Sequence, residues 1–421
     1  VLAQWRRCSI RRTAAMIDAP PDSLPPALRH PPQSLEAPPG RRTAVWVTVA
    51  LGVGGGALGY LVLGELVLGR QGLHLDMKGW GPAEWTTLGV GWLLALWLVA
   101  AIHELGHLLG ARLAGWRAAL WCVGPIRLDF AAGRMLLSLN RALSTWPGLA
   151  AAVPPRGRDT PSAMALVAAG GPLASLLLAA AAAWVAMGTS GWSGLAWGGI
   201  AALSGAIGLA TLLPSELGGF RSDGAQLLAL WRRDPGAVER LAFATLWTQS
   251  MAGVRPRDWD PDALAAASQA QADGQVALFG ALMQALATLD RRDPVAARHE
   301  FERYAERLHA KGALAQVAAP FRPGLLLPVA VYLGQFVGHA AAARAWWEAS
   351  SGGTVEPHAR AHARAAVAWA EGRWADARVA AEEARLLGQA SIDPGGWQAT
   401  QADLDELLER LDAVMPSSPG R

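Results

Sequence analysis

Long, largely uncharged apolar segments dominate the first half of the chain. A helix needs about 20 apolar residues to cross a bilayer, and the segments of about this length are Thr43–Leu63, Trp85–Leu109, Ser162–Met187 and Leu195–Leu213. Beyond Arg233 the pattern changes to alanine-rich stretches with arginine and glutamate on a polar face, which is typical of amphipathic helices in water. The pattern predicts an all-α polytopic membrane protein with about four transmembrane helices, followed by a cytoplasmic α-helical domain.

Composition supports this division. The 421 residues are 52% hydrophobic and only 17% charged, whereas a soluble domain carries about 25% charged residues. The N-terminus is rich in proline and arginine and has no apolar period, which predicts disorder. We therefore expect a disordered segment at 1–42, a membrane domain at 43–233, a linker at 234–262 and a helical domain at 263–421. The net charge of +3 is too small to indicate a nucleic-acid partner.

Arginines predict the orientation in the bilayer. They cluster before the first predicted span, between the second and third, and after the fourth. Because cytoplasmic loops carry the excess of positive charge, we expect a multi-pass protein of the cell (inner) membrane with both termini in the cytoplasm. Between the second and third spans, Ala119–Phe130 and Met135–Asn140 alternate in polarity, which predicts a small β-hairpin that turns at 131–133.

The segment His103-Glu104-Leu105-Gly106-His107 follows directly on the uncharged run Trp92–Ile102. An HExxH pattern places two imidazoles one helical turn apart on the same face, where they can bind one zinc ion, and its glutamate is the general base of a metalloprotease. Ionisable residues at membrane depth are costly and usually functional. The alternative is a chance pattern at a helix end that faces water.

Catalytic zinc needs a third protein ligand, and no histidine lies between His107 and His299. The candidates between 108 and 233 are Cys122, Asp129, Asp159, Glu216 and Asp223. We expect the first two in the hairpin and Asp159 in a solvated loop, which leaves Glu216 and Asp223 just after the fourth span. Asp223 is the favoured ligand, and the alternative is that Ser222 or Asp223 only caps the helix that follows.

Three motifs in this order resemble the site-2 protease family of intramembrane zinc metalloproteases. They are HELGH at 103–107, Gly-Gly-Pro-Leu-Ala at 170–174, and Leu-Leu-Pro at 212–214 followed by Ser-Asp-Gly at 222–224. The resemblance covers roughly residues 43–233. It implies that His103, His107 and Asp223 hold Zn²⁺ and that Glu104 is the catalytic base.

The chain departs from the family pattern at two positions. Ser222 stands where the family often has leucine, and Ser175 where it often has an asparagine that helps to hold the substrate. The resemblance thus suggests Gly171, Pro172 and Ser175 as substrate-binding residues. A simple kink or a close helix contact is the alternative for the glycine-proline pair.

The C-terminal part resembles tetratricopeptide repeats. Gly338 and Gly372 are 34 residues apart, which is the spacing of these helical hairpins. Residues 360–388 fit one repeat well, whereas 326–350 and 280–308 fit less well, and an unspecific helical bundle remains the alternative. His358 and His362 follow a proline on an arginine-rich stretch, and we interpret them as part of a solvated face.

These observations predict an intramembrane zinc metalloprotease. Its expected substrate is a transmembrane segment of a membrane-anchored protein, such as a single-span regulator, with edge pairing at the hairpin unwinding it locally. The C-terminal domain is expected to bind a protein partner. Two alternatives stay open: a membrane-anchored tetratricopeptide-like scaffold with a secondary or inactive zinc site, and a zinc hydrolase that acts on something other than protein.

Overall fold

The computed structural model describes residues 24–32, 81–131, 134–140, 145–155, 160–217, 220–271, 274–317, 321–352 and 355–415. The chain forms two compact units. The first, called the central unit, comprises residues 39–248, and the second, the helical unit, comprises 1–38 and 249–421. The predicted span Thr43–Leu63 lies outside the described residues. Within the segment predicted to be disordered, residues 24–32 depart from that expectation and carry the short helix α1, Pro26–Arg29.

Three of the described helices are long and apolar enough to cross a membrane: α2 Pro82–Leu113, α3 Pro161–Met187 and α4 Gly191–Leu212. Proline is the first residue of both α2 and α3, a position where its fixed φ suits the helix and its missing N–H costs nothing. The Thr160 side chain caps α3 by accepting a hydrogen bond from the backbone of Ala163. These helices correspond to the second, third and fourth predicted spans.

Glycines bring α2 and α3 into direct backbone contact. A Cβ on Gly106 would lie 2.4 Å from the carbonyl oxygen of Gly170, and one on Gly110 would lie 2.2 Å from that of Leu166. Any side chain would therefore force the helices apart, as at the small-residue interfaces of membrane helices. The packing holds the HExxH segment of α2 against α3.

A four-stranded antiparallel sheet, ordered β3-β2-β1-β4, contains the predicted hairpin as its β2-β3 pair. Its strands are β1 Arg117–Val123, β2 Ile126–Ala131, β3 Arg134–Leu139 and β4 Leu149–Val153. The prediction was wrong in joining 119–130 into one strand, because the chain turns at Gly124, which has a φ of +55°. It also missed β4, whose sequence Leu-Ala-Ala-Ala-Val has no polar alternation. The strands β5 Glu216–Leu217 and β6 Phe220–Arg221 form a short second pairing.

Helix α5, Asp223–Trp231, follows the short pairing. Helix α6, Pro235–Met251, occupies much of the segment interpreted as a linker, and the boundary between the two units falls inside it. The remaining helices of the helical unit are α7 Pro261–Ser268, α8 Gly274–Asp290, α9 Pro294–His309, α10 Arg322–Val331, α11 Ala340–Ala349, α12 Pro357–Ala370, α13 Trp374–Gly388 and α14 Pro394–Val414. A π-helical turn, Tyr332–Val337, extends α10.

Helical hairpins build the helical unit. Gly372 joins α12 to α13 with a φ of +72°, and Gly338 ends the π-helical turn with a φ of +75°, a conformation that glycine adopts without steric cost. Ala377 and Ala384 are fully buried on α13, as expected where two helices cross closely. A tetratricopeptide-like repeat for these hairpins stays a prediction.

His358 and His362 correct one interpretation. Both are buried rather than part of a solvated face. The Nε2 atom of His362 lies 2.8 Å from Oε1 of Gln335 in the π-helical turn, and Nδ1 of His358 lies 2.9 Å from Oε2 of Glu356. Burial lowers the pKa of His362 to about 3. The neutral histidine is therefore a packed, hydrogen-bonded part of the core.

Candidate metal centre

Helix α2 presents His103 and His107 on one face. Their Nε2 atoms lie 3.2 Å apart, and the two rings meet edge to face. The residues that follow the HExxH segment stay helical to Leu113, so the one-turn spacing is held by a regular backbone. Two ring nitrogens thus converge on one point beside α3.

Asp223 brings a carboxylate to the same point. Its Oδ2 lies 3.5 Å from Nε2 of His103 and its Oδ1 lies 3.6 Å from Nε2 of His107. Ser222 is the residue that caps α5, since its side chain accepts a hydrogen bond from the backbone of Ala225. Because the serine satisfies the helix end, the aspartate in the first turn is available to face the histidines.

Gly224, directly after Asp223, leaves no room for a side chain. A Cβ on Gly224 would lie 1.8 Å from the carbonyl oxygen of Leu212, so any other residue would push the start of α5 away from the end of α4. The Ser222 side chain also donates to the carbonyl oxygen of Leu213 and accepts from the backbone of Ser215. These contacts fix the position of the aspartate relative to the end of α4.

The donor set fits zinc. A tetrahedral ion with bonds of about 2.0–2.1 Å separates its ligand atoms by about 3.3 Å, which is close to the 3.2, 3.5 and 3.6 Å found among the three residues. Nδ1 of His107 lies 2.8 Å from the carbonyl oxygen of Val167. A carbonyl only accepts, so Nδ1 carries the proton and Nε2 offers a lone pair. Among the described residues, His103, His107 and Asp223 form the one cluster of this kind.

Helix α3 supplies the surroundings of the histidines. The Ser175 hydroxyl lies 2.9 Å from Nδ1 of His103, and it is fully buried. A Cβ on Gly171 would lie 2.4 Å from Nε2 of His107 and 2.8 Å from Nε2 of His103, so a glycine leaves the space in which the two rings meet. Pro172 is buried in the same turn of α3. These residues contact the candidate metal ligands directly or border them.

Glu104 lies between the ligands on α2 and accepts a hydrogen bond from the backbone N–H of Ala150 in β4. A Cβ on Gly148 would lie 2.5 Å from its Oε1, and Gly148 has a φ of +137° that favours glycine. The carboxylate is close enough to His107 and Asp223 to interact with both electrostatically. The Glu104 carboxylate therefore faces both the candidate metal ligands and the sheet.

The other candidate ligands lie elsewhere. Glu216 is exposed and pairs with Arg221 at 2.9 Å. Asp129 pairs with Arg127 at 2.7 Å, and Cys122 is buried in β1. Asp159 lies outside the described residues.

The sequence interpretation missed three parts of the site: Gly148, Ala150 and Val167. The positive φ of Gly148 had a signal in the Trp-Pro-Gly sequence at 146–148, because proline followed by glycine marks a turn. Ala150 and Val167 act through their backbone atoms. Every residue has these atoms, so the amino-acid sequence gives no signal for their role.

Residues 91–290 match the profile of Peptidase family M50, the site-2 protease family of membrane zinc metalloproteases. The matched region begins in α2 and includes the two histidines, the glutamate and the aspartate described above. The chain therefore carries an M50 peptidase domain. No curated protein and no solved structure matches the chain significantly.

Proposed function

We propose that this protein is an intramembrane zinc metalloprotease that hydrolyses a peptide bond in or near a transmembrane segment of a membrane-anchored protein. The observation that carries the proposal is the convergence of His103, His107 and Asp223 beside Glu104 on an apolar helix of an M50 peptidase domain. A general base next to three metal ligands is the arrangement that peptide hydrolysis needs.

The residues divide the chemistry among them. His103, His107 and Asp223 would hold Zn²⁺, which when bound lowers the pKa of water and polarises a carbonyl group. Glu104 takes a proton from the attacking water on its carboxylate oxygen and delivers it to the nitrogen of the leaving amine. Ser175 and Val167 orient the two imidazoles through their Nδ1 atoms, so that both Nε2 atoms point to the metal.

The edge of the sheet gives the substrate a place beside Glu104. Strand β4 is an edge strand, and the N–H of Ala150 is directed to the glutamate. Because a backbone N–H donates once, the Ala150 N–H that bonds Glu104 does not pair with β1. It lies on the edge of β4 that faces away from β1. An extended substrate segment that adds to β4 has its peptide groups next to the base, and strand addition also unwinds the substrate helix.

The topology proposed from the arginines agrees with the packing of the helical unit. Residues 24–32 and the helices after 249 belong to one unit, so both lie on the same side of the membrane. An even number of crossings therefore separates them. The described residues contain three candidate spans, and the sequence predicts a fourth at Thr43–Leu63, outside the described residues. We propose a multi-pass protein of the cell (inner) membrane with both ends in the cytoplasm.

The test of the proposed function is the substitution Glu104→Gln. It removes the base but no metal ligand, so we expect peptide cleavage to fall at least about 100-fold while the zinc content stays that of the wild type. Comparative membrane proteomics of cells that carry either form will identify the substrate as an accumulated single-span protein. Cleavage of that protein by the purified forms then gives the rates, and metal analysis gives the zinc content.

Glu216→Gln is the matched control. It changes an exposed glutamate that pairs with Arg221 outside the metal ligands, so cleavage should continue at the wild-type rate. If Glu104→Gln cleaves as fast as the wild type, the proposed mechanism is wrong. If no membrane protein accumulates in its presence, the result favours the scaffold with an inactive zinc site.

A further inference from the structure

The core of the helical unit includes a segment that comes from the opposite end of the sequence. Leu24 and Leu28 are 7% and 1% exposed, and both belong to the same buried cluster as Phe301, Tyr304 and Trp346. The two leucines are four residues apart, and α1 places Leu28 on its buried face. The segment of residues 24–32, called the docked segment, therefore inserts two apolar side chains into the helical unit.

Two side chains of the helical unit bind the backbone of the docked segment. The indole N–H of Trp346 on α11 donates to the carbonyl oxygen of Leu28 at 2.9 Å. Nε2 of His309, at the end of α9, donates to the carbonyl oxygens of Ala27 and His30, both at 3.0 Å. The carbonyls at the end of a helix have no partner within it. His309 and Trp346 thus act as donors that cap a short helix presented to them.

The contacts divide into a general and a specific part. The contacts to carbonyl oxygens are general, because every peptide has carbonyl oxygens. The buried surroundings of Leu24 and Leu28 are specific, because they select for leucine at the first and fifth residues of the docked segment. A helix of four residues is not stable in water by itself, and α1 has four residues. Its helical form therefore depends on the site that receives it. This combination is typical of a groove that binds a short helical peptide.

We propose that the helical unit is a peptide-binding module. Its docking site, formed by His309, Trp346 and the buried cluster, recognises a short helix that carries one leucine and follows another leucine four residues earlier, and the docked segment occupies this site as a built-in competitor. The partner is a segment of another protein with the same leucine pattern and with free carbonyls at the end of its helix. The proposal does not depend on peptidase activity.

The covalent connection determines how the competitor acts. A ligand on the same chain has an effective concentration in the millimolar range when its linker allows it to reach the site. A partner segment in solution therefore binds weakly while the docked segment is in place and tightly once it is displaced. The docked segment sets the threshold at which a partner is recruited.

The test is binding of a fluorescently labelled peptide with the sequence of residues 24–32 to the full chain in detergent, followed by anisotropy. The wild type is compared with a double variant, Leu24→Ser with Leu28→Ser, which empties the site. We expect saturable binding to the variant and at least about tenfold weaker binding to the wild type. The same peptide carrying Leu28→Ser should bind neither the wild type nor the double variant.

Two further substitutions, made in the double variant, test the capping donors. His309→Ala and Trp346→Phe each remove a donor to the peptide carbonyls, and we expect either of them to weaken binding several-fold. Val295→Ser is the matched control, because Val295 is exposed on the same helix as His309 and should leave binding unchanged. If neither donor substitution weakens binding, the docking site is not the one described.

A second form keeps both leucines, in case their loss unfolds the helical unit. A sequence-specific protease site is inserted between positions 36 and 37 of a chain that is otherwise wild type. Cleavage of the purified protein then separates the docked segment from the rest of the chain. We expect an excess of labelled peptide to exchange into the cut protein, and not into the uncut one. If the cut protein binds no peptide, the docked segment is a permanent part of the fold and the proposal is overturned.

Discussion

The central unit and the helical unit place their large and small residues in opposite ways. In the central unit, Leu93, Leu177 and Trp184 are more than half exposed, while Gly106 and Ser175 are buried between helices. Lipid tails are as apolar as leucine, so such side chains gain nothing by leaving the surface of a membrane protein. Packing there depends on small residues that let backbones touch.

The helical unit has the arrangement of a water-soluble protein. Phe301, Tyr304, Tyr332 and Trp346 are almost completely buried, and the rings of Phe301 and Tyr332 stack with their centroids 4.1 Å apart. Each large side chain that leaves water contributes about 1.5–3 kcal/mol to folding. A histidine enclosed by the protein likewise has a different role in each unit.

The histidines at the candidate metal site and His362 show this difference. His103 and His107 turn their Nε2 atoms toward each other and toward Asp223, an arrangement that a cation satisfies. His362 instead directs Nε2 to the side chain of Gln335, whose amide nitrogen donates to the carbonyl oxygen of Asp403. The first pair is arranged for a ligand, whereas His362 is satisfied within its own unit.

Loss of a metal ligand should have the largest effect. We expect Asp223→Ala to lower zinc affinity by more than about 100-fold, because loss of a direct ligand should cost more than the 10–100-fold typical of losing a hydrogen-bond partner of a ligand. Glu216→Ala is the control and should leave affinity unchanged. Zinc competition with a chelating dye measures both. Retention of zinc by Asp223→Ala together with its loss in Glu216→Ala would contradict the ligand assignment.

The small-residue packing of the central unit predicts the next effect. Gly171→Ala places a Cβ 2.4 Å from Nε2 of His107, so the ring or the helix must move, at a cost of roughly 1–3 kcal/mol. We expect weaker zinc binding and a lower melting temperature. Gly205→Ala is the matched control, since its Cβ would meet that of Ala179 at an ordinary 3.7 Å. Equal effects of the two substitutions would show that the space at Gly171 has no special role.

The sequence predicted the parts of the molecule that depend on side-chain pattern. The apolar runs of α2, α3 and α4 were expected within a few residues, because length and hydrophobicity determine a membrane helix. The HExxH spacing likewise brings His103 and His107 together on any helix. M50 membership of the region was expected from the motifs and is supported by the family match.

Features that depend on the backbone or on distant contacts were not predicted. Strand β4 is defined by its pairing with β1, and the Glu104 carboxylate is held by the backbone of Ala150 rather than by a side chain. Residues 24–32 carry a composition that indicates disorder, but they are ordered by the helical unit. Local sequence cannot report contacts with residues that follow hundreds of positions later.

The orientation of His103 gives a smaller expected effect. Ser175→Ala removes the hydroxyl beside Nδ1 of His103, and we expect zinc affinity to fall by about 10–100-fold. Ser204→Ala is the matched control, because it removes another buried hydroxyl, one that donates to the backbone carbonyl of Ser175 and does not contact a histidine ring. If both substitutions lower zinc affinity equally, Ser175 stabilises the fold without orienting the ligand.

The smallest effect concerns pH and the helical unit. Burial lowers the pKa of His362 from 6.5 to about 3, so below pH 6.5 the unfolded chain takes up a proton that the folded chain does not. This costs up to about 1.4 kcal/mol of stability per pH unit as the pH falls. Burial also raises the pKa of Asp403 from 3.8 to about 6, which has the opposite sign, since its folded form takes up a proton first. The wild type therefore shows only part of the histidine effect.

His362→Gln separates the two contributions, because it removes the histidine and leaves Asp403 in place. Between pH 7 and pH 5.5 we expect the free energy of unfolding of this variant to rise by about 1 kcal/mol relative to the wild type. Urea midpoints of the full chain in detergent, read by pulse proteolysis, measure the difference. His299→Gln, a change of an exposed histidine in the same unit, is the control and should follow the wild type. A difference between His362→Gln and the wild type that does not change with pH would mean that His362 takes up its proton at the same pH in the folded and unfolded chains, and its neutral role in the core would have to be abandoned.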